Sequence, residues 1–482
     1  MKRFVMAVSL VVALLALGLV PALAQESLID SVCLVTDQGR VNDGTFNQFA
    51  YEGLVRAVDD FNLDSTYIET AAQTDYAPNI ETCVNEGFDA VVTVGFLMTD
   101  ATLAAATANP DVYFIGVDQF IIDGPANMIG TQSREDQMGY AVGVMAALLT
   151  ESNVIGGVYG IEIPPVVKFR NGYEQGIRAT NPDAEILGVY IDSFIAPERG
   201  AAAAEQFLGE GADVLFGGGG ATGSGGIVFG AQQGIYVIGV DQDEYFTTFG
   251  AGETPGAEYI FTSAVKRIDN AVYNAIETLV NGGEGFTGGS IFVGDVTNGG
   301  VGIAPRNDAS EEAVPEAIYE AGAAALQGMI DGTIVTGVDP ATGALLPNIV
   351  DTAAAAGSFT TLLAAAEAAG LVDTLANGGP FTVFAPTDEA FTAALEALGL
   401  TAEELLADTE TLTAILTYHV VPLSFEAHIL VGYETVPTVQ GGELAISVQD
   451  GVVYVNDAAV VTANIYASNG VIHVIDSVLL PE

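Results

Sequence analysis

The feature that most constrains the fold is an alternation of short apolar runs with amphipathic stretches from residue 28 to about residue 240. Apolar runs of this length are typical of strands buried on both faces, and the stretches between them have helical spacing. The strand candidates are Ser31–Thr36, Asp64–Glu69, Ala90–Val94, Val112–Val117, Ile155–Tyr159, Glu185–Tyr190, Val214–Gly217 and Tyr236–Val240. The pattern predicts an α/β fold with parallel sheets. The number of strands is larger than one ordinary lobe contains. We therefore expect two lobes, with the chain crossing between them near residues 120–135.

The remainder of the chain carries further helices and then changes character. A helix is predicted over Ala264–Val280, after an apolar strand at Glu258–Phe261. Residues 338–346, within GVDPATGALLP, have the Gly and Pro content of a linker and no periodicity. Residues 347–482 combine Ala-rich helical segments with short alternating strands, one pair joined by the hairpin signal Asp450-Gly451. We therefore expect a second domain of mixed α and β structure there.

The first 24 residues have the pattern of a secretory signal peptide. Lys2 and Arg3 form a basic start, residues 5–20 are apolar, and Ala22-Leu23-Ala24 is a small-residue cleavage site. Since no lipobox cysteine follows, we expect a secreted or extracytoplasmic protein, at the cell surface or in the periplasm, without a lipid anchor.

The charge balance excludes one class of partner. The formal net charge is −50, with 62 acidic residues against 12 Lys and Arg. Nucleic acid and anionic lipid both require cationic groups that release counterions, so neither is expected to bind. Beyond the signal peptide the sequence contains only two lysines, Lys168 and Lys266, which makes their positions informative.

The two cysteines leave two alternatives open. Cys33 lies in the first predicted strand, and Cys83 lies in a predicted helix that should pack on the same sheet. Export permits a disulfide between them, and two buried thiols are the other interpretation. Metal binding by this pair is not expected, because no histidine precedes His419. Neither a metal site nor a cofactor is expected elsewhere in the chain.

The stretch DQGRVNDGTFNQFAYEG, residues 37–53, places many short polar groups around one aromatic ring, directly after a strand. In doubly wound sheets, ligands bind beyond the carboxyl ends of strands. Phe46 offers a face on which a base can stack, Asn47 can both donate and accept, and Asp43 accepts from N–H or O–H groups. The alternative is structural, because Asp, Asn and Thr also cap helices and Phe46 could belong to the core.

Other candidates lie at the ends of later strands. Asp118 follows VYFIGV and Asp241 follows YVIGV, positions that suit either a ligand or a helix cap. Lys266 lies near the start of the helix predicted over Ala264–Val280. The glycine run 217–226 lacks the Gly-Lys-Ser/Thr ending of a phosphate-binding loop.

Several segments together resemble one family over residues 28–337. The segments are VTDQGRVNDGTFNQFAYEGL, VGFLMTDATLAAATANPDVYFIGVD, IPPVVKFRNGYEQGIRA, GGGATGSGG, YVIGVDQDEY and FTSAVKRIDNAVY. They resemble, in order, the basic membrane protein (BMP/PnrA-like) family of ABC-transporter substrate-binding proteins, which includes purine nucleoside receptors. Asn42 and Thr45 depart from the family motif, which has Asp and Ser there. The resemblance implies a two-lobed, periplasmic-binding-protein-like (type I) fold.

The same resemblance implies roles for particular residues. Asp241 and Lys266 would bind a ribose diol, Phe169 would supply a second aromatic face, and Gly220 would allow the backbone to approach the sugar. Lys168, beside Phe169, suits a ligand contact or a structural role equally. The implied ligand is a purine nucleoside, and the implied partner is an ABC transporter permease.

Residues 347–482 resemble a fasciclin (FAS1) domain. The matching segments are PFTVFAPTDEAF, TYHVVP and SNGVIHVIDSVLLP. Such domains are associated with adhesion, which implies attachment to a cell-surface or matrix partner. The expected organisation is therefore a signal peptide at 1–24, a substrate-binding domain at 25–337, a linker at 338–346 and a fasciclin domain at 347–482.

These observations predict a binding protein and not an enzyme. The three histidines, His419, His428 and His473, all lie in the second domain, and no nucleophile elbow accompanies them. The expected function is capture of a purine-nucleoside-like ligand for an ABC transporter. The alternative is a cell-surface adhesion or matrix protein, or a ligand sensor, whose lobes do not serve transport.

Overall fold

A computed structural model describes residues 26–121, 123–284, 286, 288–307 and 313–481, so the predicted signal peptide lies outside the described residues. The first part of the chain alternates strands and helices, as its sequence pattern predicts. These elements are β1 Ser31–Gln38, α1 Phe46–Phe61, β2 Asp64–Thr70, α2 Tyr76–Asn85, β3 Ala90–Val94, α3 Thr99–Ala108, β4 Tyr113–Val117 and β5 Met128–Ser133. All these strands are parallel, and they form one sheet with the order β5-β4-β3-β1-β2.

The chain then enters a second lobe of the same design. Its elements are α4 Glu135–Leu149, β6 Val154–Tyr159, α5 Pro164–Thr180, β7 Glu185–Tyr190, α6 Pro197–Gly209, β8 Val214–Gly218, α7 Gly220–Gln232, β9 Tyr236–Asp241 and β10 Ile260–Lys266. The strand order is β10-β9-β8-β6-β7, and all neighbours are parallel. Strands β6, β8 and β9 are almost wholly buried, because helices cover both faces of the sheet.

The chain returns to the first lobe and then crosses back. The remaining elements of the two lobes are α8 Ile268–Val280, β11 Ile291–Gly294, β12 Val301–Ile303 and α9 Glu316–Ile330. Helix α8 packs on α1, and β11 extends the first sheet beside β5. Strand β12 is antiparallel to β10 at the edge of the second sheet. The connections at residues 133–135, 266–268 and 294–301 are named here the first, second and third crossovers.

The three crossovers are bonded to one another. The amide of Arg134 donates to the carbonyl of Gly294 at 2.9 Å, which joins the first crossover to the third. The amide of Arg267 donates to the carbonyl of Gly300, also at 2.9 Å, which joins the second to the third. Together the crossovers form the hinge between the lobes.

The prediction of a helix starting at Ala264 is wrong. Strand β10 continues to Lys266, and α8 begins at Ile268. The reason is strand pairing, of Ala264 and Val265 with both neighbouring strands and of Lys266 with β12, which fixes an extended backbone that local helical periodicity could not reveal. Lys266 is therefore the last residue of a buried strand and points from the sheet into the hinge region.

Close contact between α4 and α5 depends on glycine. A Cβ atom at Gly172 would lie 2.2 Å from the carbonyl oxygen of Asp136, and one at Gly143 would lie 2.2 Å from that of Tyr173. Any larger residue at either position would separate the helices. The contact brings Glu135, the first residue of α4, against Lys168 of α5.

The two cysteines are joined by a disulfide in the structure. The Sγ atoms of Cys33 on β1 and Cys83 on α2 are 2.00 Å apart, and both residues are fully buried. We expect a thiol assay on the denatured, unreduced protein to detect no free thiol, and two after reduction, because the chain contains two cysteines. Detection of two thiols before reduction would contradict the bridge.

The C-terminal region forms a separate layer of helices on a mixed sheet. Its helices are α10 Ile349–Ala356, α11 Thr360–Ala368, α12 Val372–Asn377, α13 Asp388–Leu398, α14 Ala402–Ala407, α15 Thr409–Tyr418 and α16 Ala427–Leu430. Its strands are β13 Phe381–Pro386, β14 Val420–Val421, β15 Thr435–Pro437, β16 Glu443–Gln449, β17 Val452–Val455, β18 Ala458–Ala467 and β19 Gly470–Ile475. They form one sheet with the order β14-β13-β19-β18-β17-β16-β15, in which β13 and β19 are parallel. This architecture is α+β, as the sequence predicts.

Residues 338–346 pack against the second lobe. Val338 and Leu345 form an antiparallel bridge, and the side-chain amide of Asn171 on α5 donates to the carbonyl of Gly343 at 2.6 Å. The segment predicted as a linker is thus an ordered loop on α5. Among the described residues, no helix has both the length and the apolar character needed to cross a bilayer.

Candidate functional site

A cleft with about 670 Å³ of empty space, part of it open to solvent, lies between the two lobes at the carboxyl ends of their strands. All the residues predicted to bind ligand line it. They are Asp43, Phe46, Asn47 and Asp118 from the first lobe and Phe169, Gly220, Asp241 and Lys266 from the second. Small-molecule sites occur preferentially at such interfaces between lobes or domains.

The two lobes touch across the mouth of this cleft. The hydroxyl of Thr247 donates to the carbonyl of Gly44 at 2.7 Å, and the side-chain amide of Gln242 donates to the carbonyl of Thr45 at 2.9 Å. Gly44 and Thr45 belong to the first lobe, and Gln242 and Thr247 belong to the second. The lobes are therefore in a closed arrangement.

Each lobe presents one aspartate from an equivalent strand end. The segments YFIGVDQ, ending β4, and YVIGVDQ, ending β9, place Asp118 and Asp241 directly after four buried positions. Both aspartates adopt the left-handed backbone conformation, with φ of 59° and 64°. Asp tolerates this conformation better than most residues, so the chain can turn at the strand end with its carboxylate towards the cleft.

Lys266 joins the cleft to the hinge through buried ion pairs. Its Nζ atom is 2.5 Å from Asp118 Oδ2 and 2.6 Å from Glu135 Oε1. The other oxygen of Glu135 is 2.6 Å from Lys168 Nζ, which also donates to the carbonyl of Ser133 at 2.8 Å. Burial alone would lower the pKa of Lys266, but Asp118, Glu135 and Asp241 outweigh it and hold that pKa above its usual value.

Asp241 differs from Asp118 because no described residue donates a hydrogen bond to its carboxylate. Its side chain is nevertheless buried, with only 5% of the residue exposed. Burial raises the pKa of Asp241 to about 8, against the opposing effect of Lys266 and with help from Asp118 and Asp43. Buried polar groups are normally bonded, so a carboxyl of this kind lining a cavity is suited to a ligand hydroxyl, which can both donate and accept.

Asp43 and Asn47 have structural partners as well as positions in the cleft wall. The carboxylate of Asp43 accepts from the backbone amides of Thr45, Asn47 and Gln48 at 3.0 to 3.2 Å, which caps α1. It also accepts from Asn47 Nδ2 at 2.9 Å, while Asn47 Oδ1 accepts from the amide of Asp37. Most of the hydrogen bonds of Asp43 and Asn47 therefore agree with the structural alternative, in which they cap a helix.

The aromatic residues come from both lobes. The ring of Phe46 borders the cavity, with Lys266 Nζ 5.3 Å from its centroid. Phe169 is largely buried and packs on Phe216, with 6.0 Å between ring centroids. Phe96 and Phe194 also line the cavity, and neither was among the residues predicted from the sequence.

The glycine run serves packing as much as the cavity. A Cβ atom at Gly219 would lie 2.1 Å from the amide nitrogen of Gly160, so two strand-end loops meet there. Gly220 begins α7 with a φ of 55° and lines the cleft.

Sequence reasoning overlooked two acidic residues. Asp37 lines the cavity, accepts a hydrogen bond from the hydroxyl of Tyr76, and has a pKa raised to about 6, chiefly by burial. Glu135 is fully buried and forms an ion pair with Lys266 on the hinge side of the cavity. Asp37 stands first in the polar stretch that opens the motif, so its position was a usable signal. Glu135 had none, since an acid in the first turn of a helix is common.

Comparisons with known proteins agree with this architecture. The family described as "ABC transporter substrate-binding protein PnrA-like" matches residues 31–329, and the fasciclin domain matches residues 357–481. The ABC transporter nucleoside-binding protein BmpA of Lactococcus lactis is 31% identical over 316 residues, which are 62% of this chain and 87% of that protein. The CD4+ T-cell-stimulating antigen of Listeria monocytogenes is 30% identical over 297 residues, or 58% of this chain and 81% of that protein.

Two solved structures share the fold of the lobes. A solute-binding protein from Aeropyrum pernix has a TM-score of 0.55 at 24% identity, covering 62% of this chain and 90% of its own. Another from Conexibacter woesei has a TM-score of 0.52 at 24% identity, covering 65% and 99%. The family's role is to bind a substrate for a transporter and not to transform it. The chain belongs to the PnrA-like family of ABC transporter substrate-binding proteins and carries a fasciclin domain behind its two lobes.

Proposed function

We propose that the cleft captures a purine nucleoside outside the cytoplasm for delivery to an ABC transporter permease. The observation that carries this proposal is the position of Asp241, a buried carboxyl to which no described residue donates, near the ammonium of Lys266 and in the same cavity as the ring of Phe46. A nucleoside offers sugar hydroxyls to Asp241 and a flat base to the ring of Phe46.

The sugar hydroxyls suit the charged end of the cleft. A lysine ammonium has three N–H donors, and Asp118 and Glu135 occupy two of them. No described residue is bonded to the third, which suits a ribose oxygen, while Asp241 suits a ribose hydroxyl. The cleft also contains Asp37, Asp43 and Asp118, so a phosphate group would meet several carboxylates. This favours a nucleoside over a nucleotide.

The base suits the aromatic end. Stacking on Phe46 and Phe169 contributes about 1–3 kcal/mol per base by analogy with other base-binding sites. Asn47 donates one amide hydrogen to Asp43, and its second can donate to a ring nitrogen or carbonyl. Asp43 then acts mainly by holding Asn47 in place, and Gly220 leaves room for the ligand beside α7.

We expect inosine to bind at least about tenfold more tightly than 2′-deoxyinosine, and hypoxanthine to bind more weakly than either. Each lost hydrogen bond to a charged group removes about 1.5–3 kcal/mol, and 1.4 kcal/mol corresponds to a factor of about ten. Calorimetric titration of the full chain with the three compounds measures this order. Equal affinity for the ribo and deoxy forms would rule out recognition of the diol.

We further propose that the fasciclin domain attaches the protein to a cell-surface or matrix partner. The proposed organisation is a signal peptide at 1–24, lobes at 25–337, a connecting segment at 338–346 and the fasciclin domain at 347–482. The alternative is a ligand sensor or adhesion protein whose lobes do not serve transport. The sensor is favoured by the ion pair, at 2.5 Å, between Arg134 of the first crossover and Glu426 of the fasciclin domain. Nucleoside uptake by cells lacking the protein distinguishes the two, since only the transport function predicts reduced uptake.

A further inference from the structure

The fasciclin domain contacts the first crossover through a buried arginine. Arg134, only 7% exposed, places Nη1 at 2.5 Å from Glu426 Oε1 of the fasciclin domain. Its Nε and Nη2 atoms each donate to Asp136 at 2.9 Å. The guanidinium thus forms a bidentate pair with Asp136 at the start of α4, a geometry that Arg favours, and a further ion pair with the fasciclin domain.

The third crossover is held by a neighbouring residue of the same domain. His428 Nε2 lies 3.3 Å from Asp295 Oδ2 and 3.4 Å from the hydroxyl of Thr297. The carboxylate of Glu426 is itself fixed by the hydroxyl of Tyr466, which donates to Oε2 at 2.9 Å. One short segment of the fasciclin domain therefore holds two of the three crossovers.

Another contact of the fasciclin domain lies on the second lobe. The amide of Ser424 donates to the carbonyl of Gly332, after α9, at 2.8 Å. The chain leading into the domain also bonds to the second lobe. The hydroxyl of Thr336 donates to Asp136 at 2.5 Å, and the side-chain amide of Asn171 donates to the carbonyl of Gly343. The fasciclin domain is thereby anchored on the second lobe and reaches the hinge from that side.

These contacts continue into the cleft. Glu135 follows Arg134 directly in the chain and pairs with Lys266, which pairs with Asp118 in the cavity wall. A change in the backbone of the first crossover would move Glu135 and, through it, the ammonium that lines the cavity. Hinge residues are those that absorb backbone rotation when lobes open, so a domain that holds them alters the balance between open and closed states.

We propose that the fasciclin domain is a clasp on the hinge, which stabilises the closed arrangement of the lobes and slows ligand release. The direction follows from the structure, since the contacts of Glu426 and His428 exist together with the contacts that join the lobes across the cleft. A partner that binds the fasciclin domain and disturbs this segment would loosen the hold on the ligand. Attachment and ligand retention are thereby coupled in one chain.

The ligand arm of the test rests on the proposed function, and it uses inosine as the probe with the full-length protein. We expect Glu426→Gln and His428→Gln to weaken inosine affinity about fivefold or more, the lower end of typical coupling between sites, mainly through faster dissociation. Glu434→Gln is the matched control, because Glu434 is an exposed acid of the same domain away from the hinge. Unchanged affinity in both test variants would overturn the proposal, and tighter binding would show that the domain holds the lobes open.

The second arm needs no ligand. We expect hydrogen exchange in peptides covering residues 130–140 and 294–302 to be faster in Glu426→Gln than in the Glu434→Gln control, with equal melting temperatures confirming intact folds. If the wild-type protein fails to bind inosine, the proposed function is wrong. The hydrogen-exchange comparison would still test whether the fasciclin domain stabilises the hinge. Equal exchange in the two variants would overturn the proposed clasp.

Discussion

Replacing Lys266 with methionine is expected to lower the free energy of unfolding at pH 7 by about 3–5 kcal/mol, because it removes the counter-ion of buried Asp118 and leaves Glu135 paired with Lys168 alone. Lys266 pairs with Asp118 and Glu135, and all three residues are almost completely buried. Methionine keeps the volume of the side chain, so the loss reports on charge. The same variant should bind no measurable nucleoside. Urea denaturation gives the first quantity and calorimetry the second.

The loss should shrink as the pH falls. Burial already raises the pKa of Asp118 with Lys266 in place, and removing the ammonium raises it further. The variant therefore takes up protons on folding, which favours the folded state more at pH 5 than at pH 7. Arg178→Met is the control, since that side chain is 55% exposed in its pair with Glu174 and should change stability by less than about 1 kcal/mol. An equal loss at both pH values would contradict the buried network.

Replacing Asp241 with asparagine is expected to raise the free energy of unfolding. Burial gives Asp241 a folded-state pKa of about 8, above the model-peptide value of 3.8, so its contribution to stability falls as the pH rises between these values. Asparagine removes that penalty and tolerates a positive φ. We expect a gain of about 1–3 kcal/mol at pH 8, a smaller gain at pH 5, and at least about tenfold weaker inosine binding.

Asp118→Asn provides the matched comparison. Asp118 occupies the equivalent strand end in the other lobe, but its carboxylate is bonded to Lys266. We therefore expect that variant to lose stability where Asp241→Asn gains it. Opposite signs at two equivalent positions would identify Asp241 as a residue kept for ligand binding at the expense of folding. A loss of stability in both variants would show that Asp241 has a partner within the protein.

The sequence predicted the strands that are buried on both faces, because continuous apolar runs mark them unambiguously. It missed β5, whose residues Gly130, Thr131 and Gln132 have no such run, and the short edge strands β11 and β12. These strands depend on pairing with neighbours that are distant in the chain. The end of β10 was misplaced for the same reason.

The candidate site was predictable where residues follow strand ends within a family motif, and all eight chosen residues line one cavity. Glu135 was not predictable, because its significance depends on two lysines that approach it only in three dimensions. Nor could composition reveal how the fasciclin domain is placed. Gly and Pro in residues 338–346 are typical of a linker, whereas contacts with α5, with Gly332 after α9 and with Arg134 place the domain against the hinge.

The most direct test of nucleoside capture by this cleft is a crystal structure of the full chain grown with saturating inosine. The account predicts one inosine between the lobes, with its base between Phe46 and Phe169 and its 2′- and 3′-hydroxyls within hydrogen-bonding distance of Asp241 and Lys266. An inosine bound outside the cleft, or a cleft left without nucleoside at saturation, would contradict it.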